Sequence, residues 1–230
     1  MESIADARAA EGRHPGSTVE EWVFAAWTPD ASVGVISGHR IVGRTAWYWS
    51  AIARDARPLL HIADFEVPVR TDPFIVKGEA LWAEHTCDDP MAQWSIGNET
   101  YASAIDDPDE ALGRAYGDPT PIAFDLEWYA TGSATPLEPA GERAAVDVGY
   151  EQVGVVHGAI EIVSIQECVI KTRGAHTLEI FGPCLRVLVV QAPLAGLFLF
   201  GKQFQVMPRG QLEANPFAAA VQFPGGNVLY

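Results

Sequence analysis

Lysine is scarce in this chain, with only Lys77, Lys171 and Lys202 among 230 residues. Fifteen Lys and Arg stand against thirty Asp and Glu, giving a formal net charge of −15 and a pI near 4.6. A surface of that sign opposes a phosphate backbone, and no cluster of basic side chains exists to hold an anionic lipid face. No nucleic-acid partner and no membrane attachment are expected. Cysteine is equally scarce: Cys87, Cys168 and Cys184 are too few and too far apart for a disulfide framework or a four-thiolate zinc site. They read as reduced, buried thiols of a cytoplasmic protein.

Long apolar runs are missing too. The longest, residues 187–201, is interrupted by Gln191, Pro193 and Gly196, and a spanning helix needs about 20 apolar residues. It reads as two buried strands around a turn at 192–196, so no membrane insertion is expected. Residues 1–13 lack the apolar core of a signal peptide, which again predicts a cytoplasmic location. The chain has no phosphate-cradling loop, no GxGxxG, HExxH or GxSxG motif and no CxxC pair. Its six histidines are scattered, with no two at metal-ligand spacing. Neither a metal nor a cofactor is expected.

Present instead is a globular composition, 48% hydrophobic and 20% charged, written largely with a period of two. Strands are expected near 20–28, 33–37, 40–52, 58–69, 74–87, 93–105, 121–130, 151–163, 165–173, 176–181, 184–191, 196–207 and 219–223. Asp107-Pro108-Asp109-Glu110 offers an N-cap, a proline in the first turn and acids suited to the helix dipole. It predicts one short helix from 108 to about 115. The Pro- and Gly-containing stretch 131–148 reads as a long loop inside a single all-β domain spanning 1–230. So many strands in so short a chain close most simply into a lipocalin-like antiparallel barrel of the calycin type, whose interior can hold one small ligand.

Several strands carry polar groups on otherwise apolar faces. Around Leu81, one face holds Ala80, Trp82 and Glu84 and the other Leu81, Ala83 and His85. A carboxyl beside an indole is a candidate general acid, its pKa raised by desolvation, or else a solvated strand-end residue. On the next strand Trp94, Ile96, Asn98 and Thr100 share a face, opposite Ser95, Glu99 and Tyr101. Asn98 can orient a ligand there or simply satisfy backbone near Gly97. Phe124, Leu126 and Trp128 alternate with Asp125, Glu127 and Tyr129, so the latter face is either wet or lines a cavity with Asp125 and Glu127 as an acid and base pair. His157 lies among apolar neighbours on both faces, which predicts a doubly covered position; it is a satisfied core residue or a proton carrier. All seven tryptophans fall in the first 130 residues, and Trp47-Tyr48-Trp49 must send rings to both faces of its strand.

The segments Ala46-Trp47-Tyr48-Trp49-Ser50, Leu81-Trp82-Ala83-Glu84-His85, Trp94-Ser95-Ile96-Gly97-Asn98-Glu99 and Phe124-Asp125-Leu126-Glu127-Trp128, with Gly149-Tyr150 and Val156-His157-Gly158, carry a resemblance. From about Val42 to Tyr150 the chain resembles bacterial lipocalin-like proteins related to the carotenoid 1,2-hydratases (hydroxyneurosporene synthases). It is more distantly similar to the barrel Diels-Alderases that form decalins. Members carry a Gly-Gln-Arg-Asp-His-Ser-Trp-Gly stretch in the second half, where this chain reads Arg173-Gly174-Ala175-His176-Thr177-Leu178-Glu179-Ile180-Phe181-Gly182. The aspartate that would protonate an alkene is missing, which turns the expectation from a hydratase toward catalysis by shape.

The resemblance implies a cofactor-free cyclase of secondary metabolism, of the Diels-Alder type or a related cyclisation, acting on a hydrophobic polyketide, polyene or terpenoid. An alkene hydratase or isomerase and a non-catalytic hydrophobic carrier are the alternatives. The expected catalytic residues are Glu84, Glu127 and His157, and the expected substrate-binding residues Trp82, Trp94, Asn98, Tyr101 and Trp128. A homodimer is left open.

Overall fold

The computed structural model describes residues 11–14, 16–112, 116–136, 148–163 and 175–191, the last of these as a strand backbone. The strands expected at 165–173, 196–207 and 219–223, the 192–196 turn and residues 137–147 of the expected loop lie outside the described residues. Among the described residues there are eleven strands: β1 (Val19–Trp27), β2 (Val33–Val42), β3 (Thr45–Arg54), β4 (Leu59–Pro68), β5 (Ile75–Lys77), β6 (Leu81–Asp89), β7 (Gln93–Ile105), β8 (Asp118–Ala130), β9 (Thr135–Pro136), β10 (Val148–Val163) and β11 (Ala175–Gln191). The protein is all-β. Its helical content in this region is essentially one 3-10 turn, Pro108–Leu112. The Asp107 carboxylate accepts from the Asp109 N–H at 3.0 Å and the Asp107 carbonyl from the Glu110 N–H at 3.0 Å, so the expected cap forms but closes a tighter helix.

All pairings are antiparallel, in the order β4-β3-β2-β1-β11-β10-β8-β7-β6-β5. β4 also pairs with β7, through Leu59–His61 against Ser103–Ile105. The first strand of that order is thereby joined to the eighth, and the sheet is barrel-like. β6 pairs with the first part of β7, and β5 with β6. β4 and β5 are not paired, which leaves a seam beside Ile62–Pro68.

The main core lies on the concave face, where Trp22, Phe24, Trp94, Trp128, Ile96, Leu126, Phe124 and Val156 are buried together. A second cluster (Ala25, Ile36, Ala51, Leu59, Ile105) covers the outer face at one end, with Ala111 of the 3-10 turn packed on it. β2 runs unbroken where the sequence predicts a break after 37. Gly38 does not make a turn: a Cβ there would lie 2.0 Å from the Trp49 indole, so the glycine makes room for that ring. The turn comes at Gly43, with φ of 61°. The strand expected at 74–87 is split by residues 78–80 into β5 and β6, and Pro183 is accommodated inside β11. No described helix is long and apolar enough to cross a membrane, which does not bear on β-barrels.

Gly158 fixes the register of β10 on β8. Its φ is 153°, and a Cβ would lie 2.1 Å from the Asp125 carbonyl oxygen and 2.8 Å from Leu126 Cα. Backbone cannot swing aside as a side chain can. Gly158→Ala is expected to cost about 3 kcal/mol, read as a lower urea midpoint at constant m-value.

Candidate functional site: a buried polar cluster inside the sheet

Register places the concave-face residues of β6, β7 and β8 in rows: Leu81–Thr100–Ile122, Ala83–Asn98–Phe124, His85–Ile96–Leu126 and Cys87–Trp94–Trp128. On β1, β2 and β3 the rows are Trp22–His39–Tyr48 and Phe24–Ser37–Ser50. The two sets meet across the interior. Ser37 Oγ lies 2.8 Å from His85 Nε2 and 3.1 Å from Tyr48 Oη, and Asn98 Nδ2 donates to Tyr48 Oη at 2.9 Å. All five groups (Ser37, His39, Tyr48, His85, Asn98) are buried.

One donor in this network is fixed: an amide nitrogen only donates, so Tyr48 Oη accepts from Asn98. Either oxygen can donate between Tyr48 and Ser37, and the His85 tautomer decides whether Nε2 accepts from Ser37 or donates to it. His85 Nδ1, both ring nitrogens of His39 and Asn98 Oδ1 find no hydrogen-bond partner. Each such buried group costs about 1–3 kcal/mol.

Burial sets the charge state. It pushes His39 down to about 3, with the Arg13 charge adding to the effect. It pushes His85 well below the usual imidazole range, helped by His39. Tyr48 is pushed up to about 12 by burial, against the opposing effect of its hydrogen bonds. At neutral pH the cluster is therefore uncharged, two neutral imidazoles beside an intact phenol.

Aromatic rings enclose it. Trp22 and Phe74 stand 5.7 and 6.1 Å from the His39 ring, Phe24 is 5.2 Å from His85, and the two imidazoles are 5.9 Å apart. Phe74 comes from the segment between β4 and β5, where the Asp72 carboxylate accepts the Phe74 N–H at 3.0 Å. Its ring also meets Trp22 at 4.8 Å and Trp94 at 5.7 Å, and it packs half-buried against the cluster.

The interior carboxylates are already committed. Glu11 accepts from the Met91 N–H at 2.7 Å and the Tyr150 hydroxyl at 2.9 Å. Glu20 is held by Arg13 and, at 2.8 Å, by His14 Nδ1.

The residues singled out from the sequence divide between two faces. Trp94, Asn98 and Trp128 lie inside, fully or almost fully buried. Trp82, Glu84, Tyr101, Glu127 and His157 lie on the convex face. One cavity walled jointly by Trp82, Trp94, Tyr101 and Trp128 does not form, because strand alternation sends the first and third outward. Trp82 spreads over Gly97, with ring atoms 3.1 Å from where a Cβ would stand, and borders an open groove of about 440 Å³ with Tyr101, Glu99 and Glu161.

Glu127 and His157, on neighbouring strands, are brought together: Glu127 Oε2 and His157 Nε2 are 3.0 Å apart. Tyr129 stacks on the imidazole at 5.4 Å and donates to Glu127 at 3.0 Å. The Glu127 bond raises the Tyr129 pKa. His157 is not doubly covered as its neighbours predict, since its side chain is 47% exposed. Glu84 stands apart and accepts from Thr86 Oγ1 at 2.6 Å. Among the described residues, no group of three or more His, Cys, Asp or Glu is placed to hold a metal ion.

A family model described as "Domain of unknown function (DUF7064)" matches residues 7–175. The chain belongs to the DUF7064 family. The DUF7064 match takes in every residue of the buried cluster and ends at the first residue of β11. No curated protein matches the sequence. Among solved structures, that of CghA with Sch210972 is similar, at 13% identity and a TM-score of 0.37, over 76% of this chain and 46% of that one. The chain thus spans less than half the length of that protein.

Ser37, His39, Tyr48 and His85 are absent from the sequence-based set. They sit on three different strands, so no local spacing joins them. A signal existed in the alternation of Ser37 with His39, and in His85 sharing the face of Leu81 and Ala83.

Proposed function

We propose that this DUF7064 protein is a cofactor-independent cyclase that folds a hydrophobic small molecule inside the barrel-like sheet. The observation that carries the reading is the set of unpartnered polar atoms on His39, His85 and Asn98, enclosed by Trp22, Phe24, Phe74 and Trp94. An apolar core has no use for such atoms, and a bound molecule completes their hydrogen bonds.

Chemically, rings on several sides hold a flexible chain in a near-attack geometry. The unpartnered N–H that neutral His39 carries in either tautomer donates to a substrate carbonyl and draws electron density from the conjugated system it terminates. In a four-plus-two closure three π bonds become two σ bonds and one π bond, and no proton leaves or enters. Hydration of an alkene would need a free acid; Glu11 and Glu20, the buried carboxylates near this interior, are already bonded. Phe74 must swing out for the substrate to enter.

Intact-mass analysis of the protein under native conditions, before and after organic extraction, is expected to show a co-purified molecule released on extraction. Phe74→Ala should raise the rate of tryptophan quenching by added conjugated ligands about tenfold, a barrier lower by about 1.4 kcal/mol. Neither bound mass nor quenching in either protein would overturn the proposal.

A further inference from the structure

The convex face of the sheet carries a groove that owes nothing to the interior. Register sets Lys77, Trp82, Glu99, Ala123 and Glu161 side by side in one row across β5, β6, β7, β8 and β10. Trp82 separates the lysine from both carboxylates, and Ala123, with only a methyl group, separates the carboxylates from each other. Two strand spacings put the Glu99 and Glu161 backbones about 10 Å apart. Both side chains are exposed, and no ion pair among the described residues involves either of them or Lys77. The neighbouring row sets Tyr101 opposite Pro121. Tyr101 and Val163, which also lines the groove, are large apolar side chains left 58% and 37% exposed.

These residues line the open space of about 440 Å³ bordered by Trp82, within the roughly 300–1,000 Å³ of small-molecule sites. Its rim at residues 78–80 is fixed in place. The Gly78 N–H donates to the Leu81 carbonyl at 2.9 Å, and the buried Thr100 hydroxyl donates to the Ala80 carbonyl at 3.0 Å. Glu79 on that rim brings the lining to three carboxylates against one ammonium. We infer that this groove binds a small organic cation, an ammonium head on an aryl or alkyl body. The head lies over Ala123 between Glu99 and Glu161, and the body lies against Trp82 and Tyr101. Solvated carboxylates attract a cation without themselves being desolvated, and the faces of an indole and a phenol draw an alkylated ammonium. An anion meets three like charges here. A neutral molecule gains only the rings, and a bare metal ion finds no group of three ligands among the described residues.

Five probes are titrated calorimetrically into the full chain at pH 7: trimethyl(4-phenylbutyl)ammonium, 5-phenylpentan-1-ol, 5-phenylpentanoate, spermidine and the peptide acetyl-Lys-Phe-Lys-amide. Physiological ionic strength screens distant surface charge. The phenylbutyl ammonium is expected to bind at least tenfold more tightly than the alcohol or spermidine, with the pentanoate weakest. Glu99→Gln combined with Glu161→Gln should bring ammonium and alcohol within about threefold of each other. Trp82→Leu and, on the exposed ring, Tyr101→Leu should weaken both. Asp89→Asn, which removes an exposed charge seven residues along β6 from Trp82, should change neither. Equal binding of ammonium and alcohol would overturn the inference, as would tighter binding of spermidine or of the peptide. An effect of Asp89→Asn as large as that of the two glutamate changes, or no binding of the ammonium at all, would overturn it equally.

Discussion

His39→Phe is expected to stabilise the free protein by about 1–2 kcal/mol and to weaken binding of added conjugated ligands at least tenfold. The two rings are close in shape, and the phenyl ring would keep the contacts to Trp22 and Phe74. What disappears is a pair of buried nitrogens with no partner. Removing both donor and acceptor without leaving an orphan behind is the circumstance in which a polar-to-apolar change stabilises. The same nitrogens are those a ligand would satisfy, so stability and binding should move in opposite directions, as at sites where function holds stability below its optimum. Urea midpoints and titrations with those ligands on one preparation test it. A destabilised variant with unchanged affinity would assign His39 to packing alone.

Acid should unfold this protein early. His39 and His61 are held down to about 3 and about 4 by burial, and His85 well below 6.5. Once unfolded, each returns to an ordinary pKa near 6.5. Between those limits the unfolded chain binds more protons than the folded one, so stability rises with pH and is lost as pH falls. The contribution of these histidines is complete above about 6.5 and declines below it. Each contributes a slope approaching about 1.4 kcal/mol per pH unit. Three acting together would remove much of an ordinary domain's 5–15 kcal/mol within roughly two units. Urea midpoints at pH 7, 6 and 5 should fall steeply, and less steeply in His39→Phe. A flat profile over that range would mean that the imidazoles gain partners or solvent when protonated.

Much of the fold was written in the alternation. Trp94, Ile96, Asn98 and Thr100 share the inner face as their spacing demands, as do Phe124, Leu126 and Trp128. Trp47, Tyr48 and Trp49 do send rings to both faces: Tyr48 reaches the buried network while Trp49 covers Gly38. Period two names two faces but does not say which one is inside. Hence composition groups Trp82 and Tyr101 with Trp94 and Trp128 although one pair lies outside. Strand ends were harder to place where glycine has two physical meanings. Gly38 admits an indole from the next strand, whereas Gly43 makes a turn, and only tertiary contact separates the cases. The polar cluster is the least legible part, because Ser37 and Tyr48 on β2 and β3 meet His85 and Asn98 on β6 and β7 by side-chain contact across the interior and not along the chain.

On the proposed function, the unpaired stretch between β4 and β5 would be the way in for a ligand. In a sheet hydrogen-bonded all round, a guest enters through an open end or waits for a ladder to break, and exchange slows to the pace of local unfolding. Here the flanking strands share no ladder, and the one short strand at that margin, Ile75–Lys77, is held by three register pairs to β6. Amide protons of Ile75–Lys77 should therefore exchange with deuterium well before those of β8 or β10. Phe74 adjoins the same segment, so whatever loosens the margin also loosens that ring's packing on the cluster. Residence time of a bound molecule would then be set by the fluctuation of about ten residues at one edge, and could be tuned there without altering a single group that touches the guest.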